Sequence, residues 1–229
     1  SHHDLAQRHR PQALRQTQLL RALDMWLEDH AADTIVSLLH ALVMHDATSA
    51  KDLVQYPRLL HVVVQLGATK RPWPLVDAPY PSYEALLVLW RVIQSDRRTA
   101  QSLWEQGAVD PLLRYVLMPP CDSTSSSPDV REHEQALLYL TLRILTALGR
   151  YGVGSTSVRE VAPAIPRLAQ WSISAASALP MNDAAWHTIR ALYEMLEVWT
   201  RAAHKGSHHG DLGLNQPLVH AWAPYPQAL

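Results

Sequence analysis

The sequence predicts an all-α chain, and three observations lead there. Apolar residues recur at three- and four-residue spacing in segment after segment. No segment alternates cleanly enough for a half-buried strand. The breaks carry the glycines, prolines and capping residues that stop and start helices. The clearest unit is 97–117, RRTAQSLWEQGAVDPLLRYVL. A first helix runs to Gln106, and Gly107 stands where a left-handed residue would end it. Asp110 then supplies an N-cap and Pro111 a first helical position for a second helix, LLRYVL.

Two helices joined that closely pack as a tight pair, the unit that armadillo- and HEAT-type solenoids stack. The remaining elements repeat the theme without a fixed period. Residues 13–30 set Leu14, Leu19, Leu20, Leu23 and Trp26 near helical spacing, with Arg15, Arg21 and Glu28 elsewhere on the wheel. Asp33 caps an expected helix over 34–45. A short helix over 49–56 stops at Pro57, and 58–66 continues up to Gly67. The HVVVQL core of that segment is β-branched and would suit a strand, but its helical neighbours decide for helix. Residues 69–81, with Pro72, Pro74, Pro79 and Pro81, exclude regular structure. Ser82 caps 83–94, which is apolar nearly all round and therefore a central buried helix. The serine-rich break 119–129 is an exposed loop. A long apolar helix over 130–148 stops at Gly149, and a loop covers 150–157. Short pieces follow at 158–161 and 167–176, the latter started by Pro166. The last helix, capped by Asn182 or Asp183, runs to 203. The expected organisation is a mobile N-terminus over 1–12, a helical-repeat domain over 13–203 and an irregular tail over 204–229. The predicted architecture is an armadillo/HEAT-like, right-handed helical solenoid segment.

Composition narrows the function. A chain of 229 residues with 48% hydrophobic content buries a sizeable core. The formal charge of −1 lacks the electrostatic footprint of a general nucleic-acid binder. One cysteine, Cys121, cannot form an internal disulfide, which fits a reducing compartment. The polar, basic start has no apolar run behind it, so no signal peptide is expected. The most apolar segment, 136–148, is too short to span a membrane and carries Arg143. A start at Ser1 and an end in a proline-containing tail read as a piece of something longer.

Candidate chemistry is thin. His45-Asp46 at a helix end has the pattern of HD-type metal phosphohydrolases, but those enzymes need a further His and Asp on facing helices, and His40 is a poor substitute. The macrodipole favours a histidine in a last helical turn, and Asp46 suits the start of the next. Cys121 beside Asp122 is an ordinary thiol, because an acidic neighbour raises its pKa. The glycines of 152–155 lack a phosphate loop's spacing and lysine. His2-His3 and His208-His209 sit in polar ends and bind metal adventitiously at most. No catalytic residue, metal site or cofactor is assigned. Arg91, Arg97, Arg98 and Arg114 fall in or beside the elbow among Trp90, Trp104 and Tyr115, a combination enriched at binding hot spots. The tryptophans serve more simply as core anchors. Ser127-Pro128 would accept phosphate, though such serine runs are more often plain linkers.

The segment order resembles the central helical-repeat region of the RNA polymerase II-associated protein 1 family. The resemblance rests on ALVMHDATSAKDLVQYPRLLHVVV with Pro57–Leu60, on LWRV at Leu89–Val92, and on RRTAQSLWEQGAVDPLLRYVLMPP ending at Pro119-Pro120. It covers roughly 34–120, and the later helices match only as generic solenoid. It implies a non-enzymatic adaptor that binds proteins, among them RNA polymerase II subunits and their assembly and import factors, and that acts in nucleus and cytoplasm. It implies no direct nucleic-acid, membrane or small-molecule partner and no cofactor. Exposed contacts are expected at Arg91, Arg97, Arg98 and Arg114. A helical scaffold with unrelated protein partners is the alternative.

Overall fold

The computed structural model describes residues 17–27, 31–69, 81–117, 128–151 and 183–207. Helix accounts for 92% of these, and none of them lies in a strand. The elements are α1 (residues 17–26), α2 (Ala32–His45), α3 (Ala47–Asp52), a 3₁₀ turn (Leu53–Gln55), α4 (Pro57–Gly67), α5 (Pro81–Ser95), α6 (Arg97–Glu105), α7 (Val109–Leu117), α8 (Pro128–Tyr151) and α9 (Asp183–Ser207). The expected mobile N-terminus, the Cys121 and Ser127 region, the glycine loop after α8 and the helical pieces at 158–161 and 167–176 lie outside the described residues. The chain divides into two compact units, 1–111 and 112–229.

In the first unit, α5 is the central element and packs against α2, α3, α4 and α6. Its sequence explains the position: Ala85, Leu86, Val88, Leu89, Val92 and Ile93 are all buried, and a helix so apolar needs neighbours on several sides. Pro57 opens α4 at its first position, where a missing N–H costs nothing. The β-branched run Val62–Val64 is helical as expected, with Val63 and Val64 buried.

Local turn chemistry fixes the corners. Asp46 is extended, and its carboxylate accepts from the backbone N–H of Ser49 at 2.7 Å, capping α3. Asp96 caps α6 by accepting from Arg98 N at 3.0 Å. The buried Thr99 hydroxyl donates back to Val92 O at 2.8 Å, satisfying a carbonyl left open where α5 ends. At the predicted elbow, Gly107 has φ +77°. Gly107 N donates to Trp104 O and Ala108 N to Leu103 O, the paired bonds of a Schellman stop.

Several boundaries differ from expectation, each for a visible reason. The helix after the elbow starts at Val109, so Asp110 lies in its first turn and is not its cap, and Pro111 takes the third position. Asp33 likewise sits inside the first turn of α2, whose cap position is Ala31 with no side-chain bond. Ser82 lies inside α5 and donates to Thr69 O at 3.1 Å. Gly67 is helical; it lies close against α5, where an added Cβ would stand 3.1 Å from Leu86 Cδ2.

In the second unit α8 and α9 pack along their length. The pairings rise together: Tyr139 stacks edge-on near His187, Arg143 meets Glu194, and Leu145 meets Trp199. The two helices therefore run parallel. Gly149 does not stop α8, which continues to Tyr151. The Trp199 indole lies across that glycine and donates to Leu145 O at 3.1 Å. A Cβ on Gly149 would stand 2.5 Å from the indole nitrogen. Helix α9 runs to Ser207, four residues past the expected end at 203.

The Gly149→Ala variant separates close approach from helix propensity. Propensity alone predicts a gain of about 1 kcal/mol for Gly→Ala within a helix. The Trp199 ring predicts a loss of roughly 1–3 kcal/mol, the cost of overpacking. Urea unfolding of the two proteins gives the sign.

Candidate functional site

The four candidate arginines do not fall in one unit. Arg91, on α5, is half-buried, and its Nε is enclosed without a hydrogen-bond partner. Arg97 and Arg98 open α6, and the Arg98 side chain is exposed. Arg114 is exposed in the last turn of α7 and belongs to the second unit. Of the interleaved aromatics, Trp104 and Tyr115 are buried and Trp90 is half-buried. Trp104 and Tyr115 are thus core residues, while Arg98 and Arg114 are exposed, one in each unit, as are Glu105 and Asp110.

The His45-Asp46 pair is divided by the turn. His45 is exposed at the end of α2, while Asp46 is committed to capping α3. The Ser49 and Thr48 hydroxyls also donate to its carboxylate, at 2.7 and 3.0 Å. Burial pushes the Asp46 carboxyl up, but the Ser49 and Thr48 hydrogen bonds outweigh burial and hold it below its ordinary value. Among the described residues no three His, Cys, Asp or Glu side chains stand close enough to hold a metal ion.

A polar cluster that the sequence did not announce ties α2 to α5. Ser37 Oγ donates to Glu84 Oε2 at 2.5 Å, and His40 Nδ1 stands 3.7 Å from Glu84 Oε1. Ser37 and His40 are three apart on one helix face, which is legible. Glu84 lies 47 residues from Ser37, and no local spacing signals that pairing. The residue types are those of a nucleophile, a base and an orienting acid, but their order is wrong for activation. The hydroxyl is given to the carboxylate, and no bond to the imidazole prepares Ser37 for attack. His40 Nε2 is enclosed and has no hydrogen-bond partner. Geometrically this is an inter-helix tie.

In the second unit Glu194 takes both Arg143 Nη1 at 2.7 Å and Arg150 Nη2 at 2.6 Å. The two arginines are seven apart on α8 and share a face, so one carboxylate on α9 joins two turns of its neighbour. Near the start of α8, burial pushes the His133 imidazole below its ordinary value. No helix among the described residues is long and apolar enough to cross a membrane. Comparison with protein-family models, with curated proteins and with solved structures gives no match.

Two pH-linked outcomes follow. Asp46→Ala costs about 1 kcal/mol, as loss of an N-cap does. Because the folded carboxyl is the stronger acid, that cost is full above an unfolded pKa of about 4 and shrinks as pH falls through the lower folded value; unfolding at pH 7 and pH 3 measures it. His133 is the weaker base when folded. The unfolded chain therefore binds its proton first, and stability falls as pH drops below about 6.5. His133→Gln flattens that decline between about pH 7 and 5 in the same measurement.

Proposed function

We propose that this protein is a non-enzymatic scaffold that holds other proteins, with its helices stacked as an armadillo- or HEAT-like right-handed solenoid. The observation that carries the reading is the parallel run of α8 and α9. In stacked hairpins, neighbouring helices run antiparallel and corresponding helices of successive units run parallel. Two long parallel helices 31 residues apart in sequence fit corresponding positions of successive units. The Schellman stop at Gly107 supplies the other ingredient, a short break between α6 and α7. Such an array offers an extended surface that holds a partner through many modest contacts.

The partners we propose are those the resemblance implies: RNA polymerase II subunits and the factors that assemble and import the polymerase, met in nucleus and cytoplasm. Arg98 and Arg114 are placed for contact, since both are exposed. Arg91 is worse placed, because reversing its charge would enclose a carboxylate beside apolar neighbours.

The full chain, used as bait in cell extract with mass spectrometry of what is retained, tests this. The expected result is recovery of polymerase subunits or their assembly chaperones. An Arg98→Glu/Arg114→Glu variant should recover them about tenfold less, a weakening of about 1.4 kcal/mol. A folded double variant that binds undiminished removes the arginine assignment. Recovery of neither class removes the polymerase reading and leaves a helical scaffold with unrelated partners.

A further inference from the structure

Helices α8 and α9 share one solvent-facing seam, and contacts across it hold its two edges together. On α8 the edge is Tyr139, Arg143 and Arg150, spaced four and seven residues apart and so on one side of the helix. On α9 it is His187, Arg190, Glu194, Glu197 and Arg201, spaced three or four apart. The rings of Tyr139 and His187 lie 6.5 Å apart across the seam. Farther along, Glu194 accepts from Arg143 at 2.7 Å and from Arg150 at 2.6 Å. The core side lies opposite. Leu145 and Trp199, which meet in the interior, are about 160° and 140° round their helices from Arg143 and Glu194. The seam carries four arginines against two glutamates, on a chain whose formal net charge is −1. Glu134 is off it, about 140° round α8 from Tyr139. Both glutamates are already engaged, Glu194 by two arginines and Glu197 by Arg201 at 2.5 Å. No carboxylate among the described residues pairs with Arg190, which is exposed.

We propose that this seam binds an acidic, extended segment of a partner protein, whose carboxylates are received by Arg150, Arg190 and Arg201. The inference goes beyond the polymerase reading and needs no polymerase partner. Charge selects the occupant, since the seam has more guanidinium groups than carboxylates to meet them. Each guanidinium also carries five N–H donors in a fork that fits a carboxylate. Arg150 and Arg201 give one nitrogen each to the seam's own glutamates. Length agrees with a short segment. At 1.5 Å per helical residue, the α8 and α9 edges run about 16 and 21 Å. A chain rising about 3.3 Å per residue covers that distance in about six residues. Tyr139 and His187 make an aromatic end against which an apolar residue flanking the acids packs. A nucleic-acid strand fits less well. Its unbroken line of phosphates meets Glu194 and Glu197 among the arginines, and the whole chain has no positive field to draw it in. A peptide can set neutral residues opposite those two glutamates.

Fluorescence anisotropy tests the proposal, with a labelled peptide of alternating glutamate and serine, about ten residues long. The full chain is titrated into it from about 1 to about 500 µM. The expected result is saturable binding that weakens as salt rises and falls at least about tenfold in an Arg190→Glu/Arg201→Glu variant. Circular dichroism of that variant should be unchanged, because both positions are exposed. Should the reversals disturb folding, Arg190→Gln/Arg201→Gln gives the same comparison without new acids. A Lys51→Glu/Arg58→Glu variant, with the same change of net charge at exposed sites of the first unit, should bind as the parent does. No binding across the range overturns the proposal. So does equal weakening by the two reversed pairs, which would reduce the effect to net charge. Tighter binding of a labelled oligothymidylate than of the peptide overturns the acidic-protein occupant.

Discussion

Helix α5 is apolar on nearly every side, and a cylinder of that kind is stable only when other helices enclose it. The rest of the first unit follows from this constraint. Helices α2, α3, α4 and α6 each need one covered face, and α5 supplies it to all four. Several of the connections are short, as at α2–α3, α3–α4 and α5–α6, and there the corner residues must stop one helix and start the next. The residues at those corners are what such connections demand: Asp46 and Asp96 as extended caps, Pro57 at a first helical position. Polar groups at the packed faces serve the same end. Thr99 closes an open carbonyl of α5, and Glu84 meets Ser37 across the α2 face. A polar group buried without a partner costs more than a hydrogen bond returns, so such ties are conditions for packing.

In the second unit the described helices α8 and α9 meet through one close approach. A tryptophan is too bulky to press against a helix backbone at ordinary spacing unless that helix lacks a side chain there. Gly149 provides that window, and through it the indole N–H reaches a backbone carbonyl, Leu145 O. A buried indole N–H needs an acceptor, and the glycine lets the ring come close enough to reach one. Glu194 then fixes rotation, since Arg143 and Arg150 reach it from two turns of α8.

Helix class and the central place of α5 were legible because periodicity records which faces are covered. Glycines show where legibility ended. Gly67, Gly107 and Gly149 each followed a helical pattern and each suggested a stop, yet only Gly107 adopts the left-handed conformation that a stop uses. The other two are helical and lie where a neighbouring side chain presses on the backbone. Sequence cannot separate the two roles, because both demand the same missing Cβ, and what differs is the neighbour. The capping errors have a related cause. Asp33, Ser82 and Asp110 are good caps by type, but each helix gained a residue or more beyond them, and propensity sets such ends only within a turn. The cross-helix pairs were invisible for a simpler reason: Ser37–Glu84 and Arg143–Glu194 are 47 and 51 residues apart. The candidate arginines are divided between the two units, Arg91, Arg97 and Arg98 in the first and Arg114 in the second, and nearness along the chain does not by itself bring them together.

That same distinction governs what the surface can do. A side chain on a packed helix is either buried by a neighbouring helix or left facing water, and the rotation of the helix makes the choice. Leu20 and Leu39 are covered, while Leu19 and Leu38, one residue earlier and of the same chemistry, are not. Hydrophobicity alone does not separate these pairs; helix rotation does. When two helices of related sequence make the same choice at the same positions, the outward apolar face belongs to the unit's geometry, as the inward face does. A single exposed leucine needs no explanation on a protein surface. A leucine and a methionine exposed at matching positions of both helices show that rotation, and not residue type, sets the outward face.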